Sequence, residues 1–374
     1  MKGSLQIAKI VGIPIKLHWT FVLVFVWVAF EGFRIGMNGR EVAWFAGLVL
    51  GVFLFVVLHE LGHALMARKY GVKTRDIILS IIGGVARLNR FPEKPLHESL
   101  VVIAGPGVNL FLALLIGGYG WLTSSIDFTS LGTSRMILGN PESFLTLFFL
   151  INLFLALINL VPVFPMDGGR IFRSLLSIRM GRKKATLVTT SVGQGLAILI
   201  AILAYYFLPK ELSLYFIPLV LAMSMFMFYV ATKEYEMVKF EDILKSYFIS
   251  ELVRSPINIF QKKDNVQLAA DALMQGVEKD FLVQNEDGTI AGVLAESVIS
   301  KLIKNNSIFD TSLIEKFISP ISESVSPKET LHDFYKKMVS QQLHILPVYE
   351  NEKFIGVVDI QQLNDFLEMK EGMG

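Results

Sequence analysis

His59 and His63 stand four residues apart with Glu60 directly after the first, so residues 59–63 read His-Glu-x-x-His. Residues four apart share one face of a helix, so two imidazoles there can hold one Zn2+ while Glu60 takes a proton from water activated beside it. The motif closes the charge-free run Val42–Leu58, within a segment apolar enough to lie in lipid. Ionisable groups at membrane depth cost about 2.5–3.5 kcal/mol each on insertion scales, so three clustered there imply a use. A catalytic zinc usually takes three protein ligands and keeps one position open. The chain has no cysteine, which leaves His and carboxylate as donors and excludes thiol catalysis and disulfides. One candidate third donor is Asp167, in the segment Asn159-Leu-Val-Pro162-Val-Phe-Pro165-Met-Asp167-Gly168-Gly169-Arg170. Two prolines interrupt helical hydrogen bonding and two glycines free the backbone, so Asp167 is either aimed inward at a metal or is a turn residue paired with Arg170. Asn109 is the one strongly polar side chain deep in its apolar segment; it binds a substrate carbonyl or joins two helices. His18, beside Trp19, is expected to be structural, at a membrane interface.

The elements that must position these groups are mostly membrane helices. The 374 residues are 53% hydrophobic and 18% charged with mean hydropathy +0.53, against about 25% charged in a soluble domain. Six spans are expected, near residues 17–35, 42–66, 98–122, 143–164, 186–208 and 212–231, the first beginning a retained run and not a cleaved leader. Sixteen Lys and Arg flank the spans on one side, from Lys2 to Lys184, against Arg34, Arg40, Arg135 and Lys210 on the other. That bias puts both termini and the polar C-terminal part in the cytoplasm, and the His pair in the cytoplasmic part of the bilayer. Between the second and third spans, Ile77–Leu88 is β-branched and broken at Gly83-Gly84, and reads as a strand or as an apolar loop on the membrane.

After about Lys233 the charge density is ordinary, and a repeat with an offset of 64 residues appears. Ser255-Pro256 matches Ser319-Pro320, Met274 matches Met338, Phe281-Leu282 matches Ile345-Leu346, and Gly292-Val293 matches Gly356-Val357. Each copy reads as helix, β-hairpin and helix, and the two copies bury one core.

HELGH at 59–63, Gly83-Gly84, Gly105-Pro106 with Asn109, and NLVPVFPMDGGR at 159–170 together resemble the site-2 proteases, the zinc intramembrane metalloproteases. The trailing repeats resemble cystathionine-β-synthase (CBS) domains. The resemblance implies an α-helical polytopic membrane domain of six transmembrane helices with a short membrane-associated β segment, followed by a cytoplasmic α+β tandem CBS domain. The expected boundaries are 1–232 for the protease, 233–247 for a linker helix, and 248–310 and 311–374 for the repeats. It implies one Zn2+ per chain held by His59, His63 and Asp167, Glu60 as general base, and substrate positioned by Asn109 and by an edge strand at Gly83 and Gly84. Single-pass membrane proteins would be the substrates, and a homodimer is a further expected partner form; no nucleic-acid partner is expected. The CBS copies depart from the adenine-nucleotide pattern, with Ala295 and Val298 in the first and Asp359 and Gln362 in the second. Nucleotide sensing and a purely structural or docking role therefore both stay open. A CBS-regulated ion transporter and a non-catalytic membrane scaffold are the rival readings. The intact His-Glu-x-x-His motif speaks against both, and no inverted repeat of half-helices supports the first.

Overall fold

The computed structural model describes residues 3–81, 83–89, 91–92, 94–126, 141–276, 278–304, 312–321, 324–341 and 343–372. Lys2, Arg90 and Arg135 of the charge count, and Ile82 of the expected strand, lie outside the described residues. Contacts divide the chain into two units, Met1–Glu236 and Met237–Gly374.

The first unit opens with a hairpin, β1 (Ser4–Ile10) and β2 (Ile13–His18), closed by Val11 and Gly12 at positive φ. It continues through α1 (Val22–Arg34), α2 (Gly39–Lys69), β3 (Thr74–Ser80), β4 (Gly83–Leu88) and α3 (Pro95–Leu122). Then come α4 (Pro141–Leu160), α5 (Asp167–Met180), α6 (Arg182–Phe207) and α7 (Lys210–Ser246). The four strands form one sheet in the order β1-β2-β3-β4, with β2 and β3 parallel and β4 at the edge. Ile13, Ile15, Ile77 and Leu79 of the sheet are buried with Val57, Leu61 and Ala64, which fixes the sheet against the His-Glu-x-x-His turn of α2.

Among the described residues four helices are long and apolar enough to cross a membrane: Gly39–Lys69, Pro95–Leu122, Arg182–Phe207 and Phe216–Ser246, with Phe144–Leu160 a shorter apolar helix. The expected first span differs most. Leu17 and His18 end strand β2, which pairs with β3, and α1 has 13 residues, about 20 Å of helix against a core of about 30 Å. His18 caps the turn that follows, with Nδ1 2.8 Å from Thr20 Oγ1. The β segment is also larger than expected, because Ile77–Leu88 is two strands and not one, and they extend an N-terminal hairpin.

The second unit carries the repeat as helix, hairpin and helix twice. The first copy is α8 (Val266–Met274), β6 (Phe281–Gln284), β7 (Ile290–Leu294) and α9 (Glu296–Lys304), with β5 (Ile259–Gln261) beside β6. The second is α10 (Leu331–Gln341), β8 (Ile345–Glu350), β9 (Lys353–Asp359) and α11 (Ile360–Gly372). The copies exchange edges: Arg254 bridges to Val357 of the second, and Ser319 to Val293 of the first. Leu282 and Val293 lie in one core with Leu331, Leu346 and Val357, while Val266, Phe281 and Ile314 belong to a second cluster. The expected single core is thus two.

Candidate metalloprotease site

Helix α2 begins on a capping box, with Asn38 accepting from Arg40 N and Glu41 N while Glu41 accepts from Asn38 N. Two of its last three turns carry His59 and His63 on the face toward α3. Helix α4 stops at Leu160, where Pro162 lacks an amide hydrogen. The chain turns through Pro165 and restarts as α5 with Asp167 at the first helical position. Met166 is in extended conformation before it, so the carboxylate is delivered from the mouth of a helix. Gly168 and Gly169 are helical, and a Cβ on Gly168 would collide with the carbonyl oxygens of Leu160 and Val161. Their smallness allows α5 to seat against the end of α4; the freely turning backbone expected from the sequence is not their role.

His59 Nε2, His63 Nε2 and Asp167 Oδ2 meet as a triangle. The nitrogens are 3.0 Å apart, and the carboxylate oxygen lies 3.1 Å from the first and 3.2 Å from the second. Ligands at about 2.0–2.1 Å from a tetrahedral Zn2+ lie about 3.3 Å from one another, so the spacing fits that ion. Each imidazole is also held in the tautomer a metal requires. His63 Nδ1 is 2.9 Å from Val101 O, which can only accept, so Nδ1 carries the hydrogen and Nε2 is bare. For His59 a chain of side chains does the same: Asn152 Nδ2 donates to Phe148 O, Asn109 Nδ2 donates to Asn152 Oδ1 at 3.0 Å, and Asn109 Oδ1 takes the His59 Nδ1 hydrogen at 2.5 Å. Two bare nitrogens facing each other across 3.0 Å repel unless a cation lies between them. Among the described residues these three form the group able to hold a metal ion. Gly105 of α3 completes the cradle, because a Cβ there would overlap His63 Nε2 and crowd His59 Nε2.

Asn109 is fully buried, with its carbonyl on His59 and its amide on Asn152. Of the two expectations for it, joining helices is the arrangement observed, with the His59 imidazole as one of the joined groups. Asn152 was not singled out by sequence; its one signal is a lone amide in the apolar run Phe148–Ile158.

Glu60 faces the sheet. Its Oε2 accepts from Ala86 N at 2.8 Å, so the Ala86 amide points away from β3 at the free edge of β4. Edge groups recur every second residue, which puts Gly84, Ala86 and Leu88 in one row. That row borders a cavity of about 220 Å3 lined also by Glu60, His63, Pro165, Asp167 and Arg170. Gly83 and Gly84 serve different ends. Gly83 has φ +131° and open space around it, whereas a Cβ on Gly84 would come within 2.7 Å of Val56 Cγ1 and 3.3 Å of Glu60 Cγ. Arg170, the alternative turn partner for Asp167, instead lies over the Phe91 ring at 4.6 Å.

A buried ion cluster fixes α5. Arg173 is 2% exposed and bonds to Glu98 of α3 and Glu234 of α7, and Ser174 Oγ donates to Pro95 O. Neither acid was singled out from the sequence, since single charges at helix ends look like solvated flanks.

The model of Peptidase family M50 matches residues 47–203. Zinc metalloprotease MJ0392 of Methanocaldococcus jannaschii is 31% identical over 375 residues, covering 99% of both chains. The chain belongs to the M50 peptidases, the site-2 protease family of zinc metalloproteases. A solved site-2 protease from Methanocaldococcus jannaschii is 34% identical to this family member, covers 62% of this chain and 95% of its own, and has a TM-score of 0.42. A CBS domain pair, that of protein MJ0100 in complex with 5'-methylthioadenosine and S-adenosyl-L-methionine, is 16% identical, covers 33% of this M50 chain and 97% of its own, and has a TM-score of 0.29.

In the second copy of the repeat the two positions that depart from the nucleotide pattern have internal partners. Asp359 accepts from Arg254 Nη2 at 2.6 Å and from Gln362 N at 2.8 Å, and Gln362 Nε2 donates to Leu252 O.

Proposed function

We propose that this chain hydrolyses peptide bonds within or near the transmembrane segments of single-pass membrane proteins, with one zinc per chain held by His59, His63 and Asp167. The observation that carries the reading is the placement of Glu60 between the ligand triangle and the free edge of β4. A helical substrate hides its carbonyls in internal hydrogen bonds and must be extended before attack. Pairing with the edge groups of Gly84 and Leu88 and the Ala86 carbonyl, while the Ala86 amide stays on Glu60, replaces part of the lost hydrogen bonding and brings one carbonyl beside the triangle. Zinc, when bound, supplies a Lewis acid and lowers the pKa of water at the site. Glu60 keeps Oε2 on the strand, takes the water proton on Oε1 and delivers it to the leaving amine. Asn109 and Val101 hold the two imidazoles in place throughout.

The charge bias of the flanking segments supports cytoplasmic termini and water entry from that side. The repeats act as a CBS-type regulatory module joined through α7, which runs on from residue 232 to Ser246. The cavity of the repeat unit lined by Arg254, Glu278 and Asp359 is taken up by their own ion pairs, which favours docking over nucleotide binding. Glu60→Gln in proteoliposomes with a membrane-anchored reporter tests the reading. Loss of cleavage with zinc retained is expected, and cleavage that persists would reject it.

A further inference from the structure

A second cavity of about 470 Å3 adjoins the first and shares Ala86, Leu88, Phe91 and Arg170 with it. Arg75, Arg87 and Asn89 complete its lining, so three guanidinium groups and no acid border it among the described residues. The acid underneath is already matched. Asp76 is fully buried and takes two bonds from Arg87, at 2.6 and 2.5 Å, and one from Lys16 at 2.7 Å. One negative charge against two positive ones leaves that cluster cationic, before Arg75 and Arg170 are added. Arg75 is the extra residue of an irregularity in the β3–β4 register, between Thr74 and Asp76. Such bulges re-aim a side chain.

We infer that this arginine-lined vestibule binds an acidic side chain of the substrate, two or three residues along the extended segment from the bond that is cut, and so sets cleavage-site preference. This rests on the proteolytic reading above. A substrate strand paired on β4 with its scissile carbonyl near Ala86 runs past Leu88 and Asn89, about 7–10 Å on at 3.3 Å per residue. Those are the residues the vestibule shares with the edge. Hydrophobic membrane segments differ little in shape, so a charge at their border is an economical mark of where to cut. A lipid phosphate has compatible charge, but the lining continues the peptide-binding edge, which favours the peptide.

The test uses the full chain, loaded with zinc, in phosphatidylcholine vesicles. Reporter membrane segments carry Asp, Ala or Lys at each of the three positions on either side of the cut. One position two or three residues from the cut should show KM about fivefold lower for Asp than for Lys, with kcat nearly equal, and salt should shrink the ratio. Arg75→Glu, at an exposed bulge, should reverse the ratio. Binding of the same segments to the Glu60→Gln protein, followed by fluorescence anisotropy, should show the same order without cleavage. Retained binding preference with no cleavage in the wild type would reject proteolysis and leave the vestibule standing. Cleavage with equal KM and equal binding for Asp and Lys would overturn the vestibule. A dependence on phosphatidylglycerol in the vesicles, with no effect of peptide charge, would overturn it in favour of a lipid headgroup.

Discussion

Two corners of this molecule gather carboxylates, and only one of them is arranged to hold a foreign cation. In the membrane-type unit Asp167 meets two imidazoles whose Nε2 atoms are bare and whose Nδ1 hydrogens are committed to Val101 and Asn109. In the repeat unit Glu278 accepts from Arg254, Ile257 N and Asn258 N, and Asp359 accepts from the same guanidinium. There a resident cation already satisfies the acids. Asp280 likewise accepts from His344 N and Glu296 N. Clustered acids therefore do not distinguish a site; acceptors left facing one another without a donor do.

The comparison is broken most severely at Gly105. Gly105→Ala should place a methyl group where the metal belongs, and a displacement of about 1 Å there costs on the order of 100-fold in rate. Zinc content and cleavage should fall together while circular dichroism stays native; unaltered activity would mean the triangle is not the site. Asn109→Ala removes the acceptor that holds His59 and should weaken zinc affinity about 10–100-fold, as expected for a partner behind a ligand. Competition with a chelator measures it, and Asn109→Asp, which keeps an acceptor, should recover much of the loss.

Each half of the proposed ligand set carries a local mark in the sequence, although Asp167 lies 108 residues from His59. The His pair is one helical turn, and the Pro, Asp and Gly run around Asp167 marks an interrupted helix near the same depth. What was not legible depends on distant partners. Ser4–Ile10 pairs with Ile13–His18 and β2 with β3, so Leu17 and His18 are strand although they open an apolar run. Helix α5 is a short amphipathic turn whose one fully buried charge, Arg173, makes sense only with Glu98 and Glu234 in place. Gly84 and Gly105 look alike in sequence as flexible points, yet each is required by what a Cβ would strike. The 64-residue repeat was visible, but the exchange of Arg254 and Ser319 between copies was not.

The resident-cation corner supplies a third prediction. Arg254→Ala strips charged hydrogen bonds from Glu278 and Asp359, and should lower the stability of the repeat unit by about 2 kcal/mol. Thermal unfolding of the full chain should show this with zinc content unchanged; a fall in zinc would contradict the separation of the two corners.

The smallest effect concerns the sheet. Arg87 first and Lys16 second hold the Asp76 carboxyl down to a pKa of about 2, against 3.8 for a free aspartate. Its folded pKa is the lower, so its stabilisation is complete above the unfolded value and is lost as pH falls from about 4 toward 2. About 1 kcal/mol should disappear across that window, because the Arg87 and Lys16 partners of the buried carboxylate are partly exposed and screened. Asp76→Asn, already lacking the charge, should show a flatter stability profile over the same range.

Zinc stoichiometry tests the central claim most directly. Elemental analysis of purified protein should give close to one zinc per chain in the wild type and in Glu60→Gln, and well below one in His59→Ala and in Asp167→Ala. Zinc content left unchanged by both ligand substitutions would contradict the account.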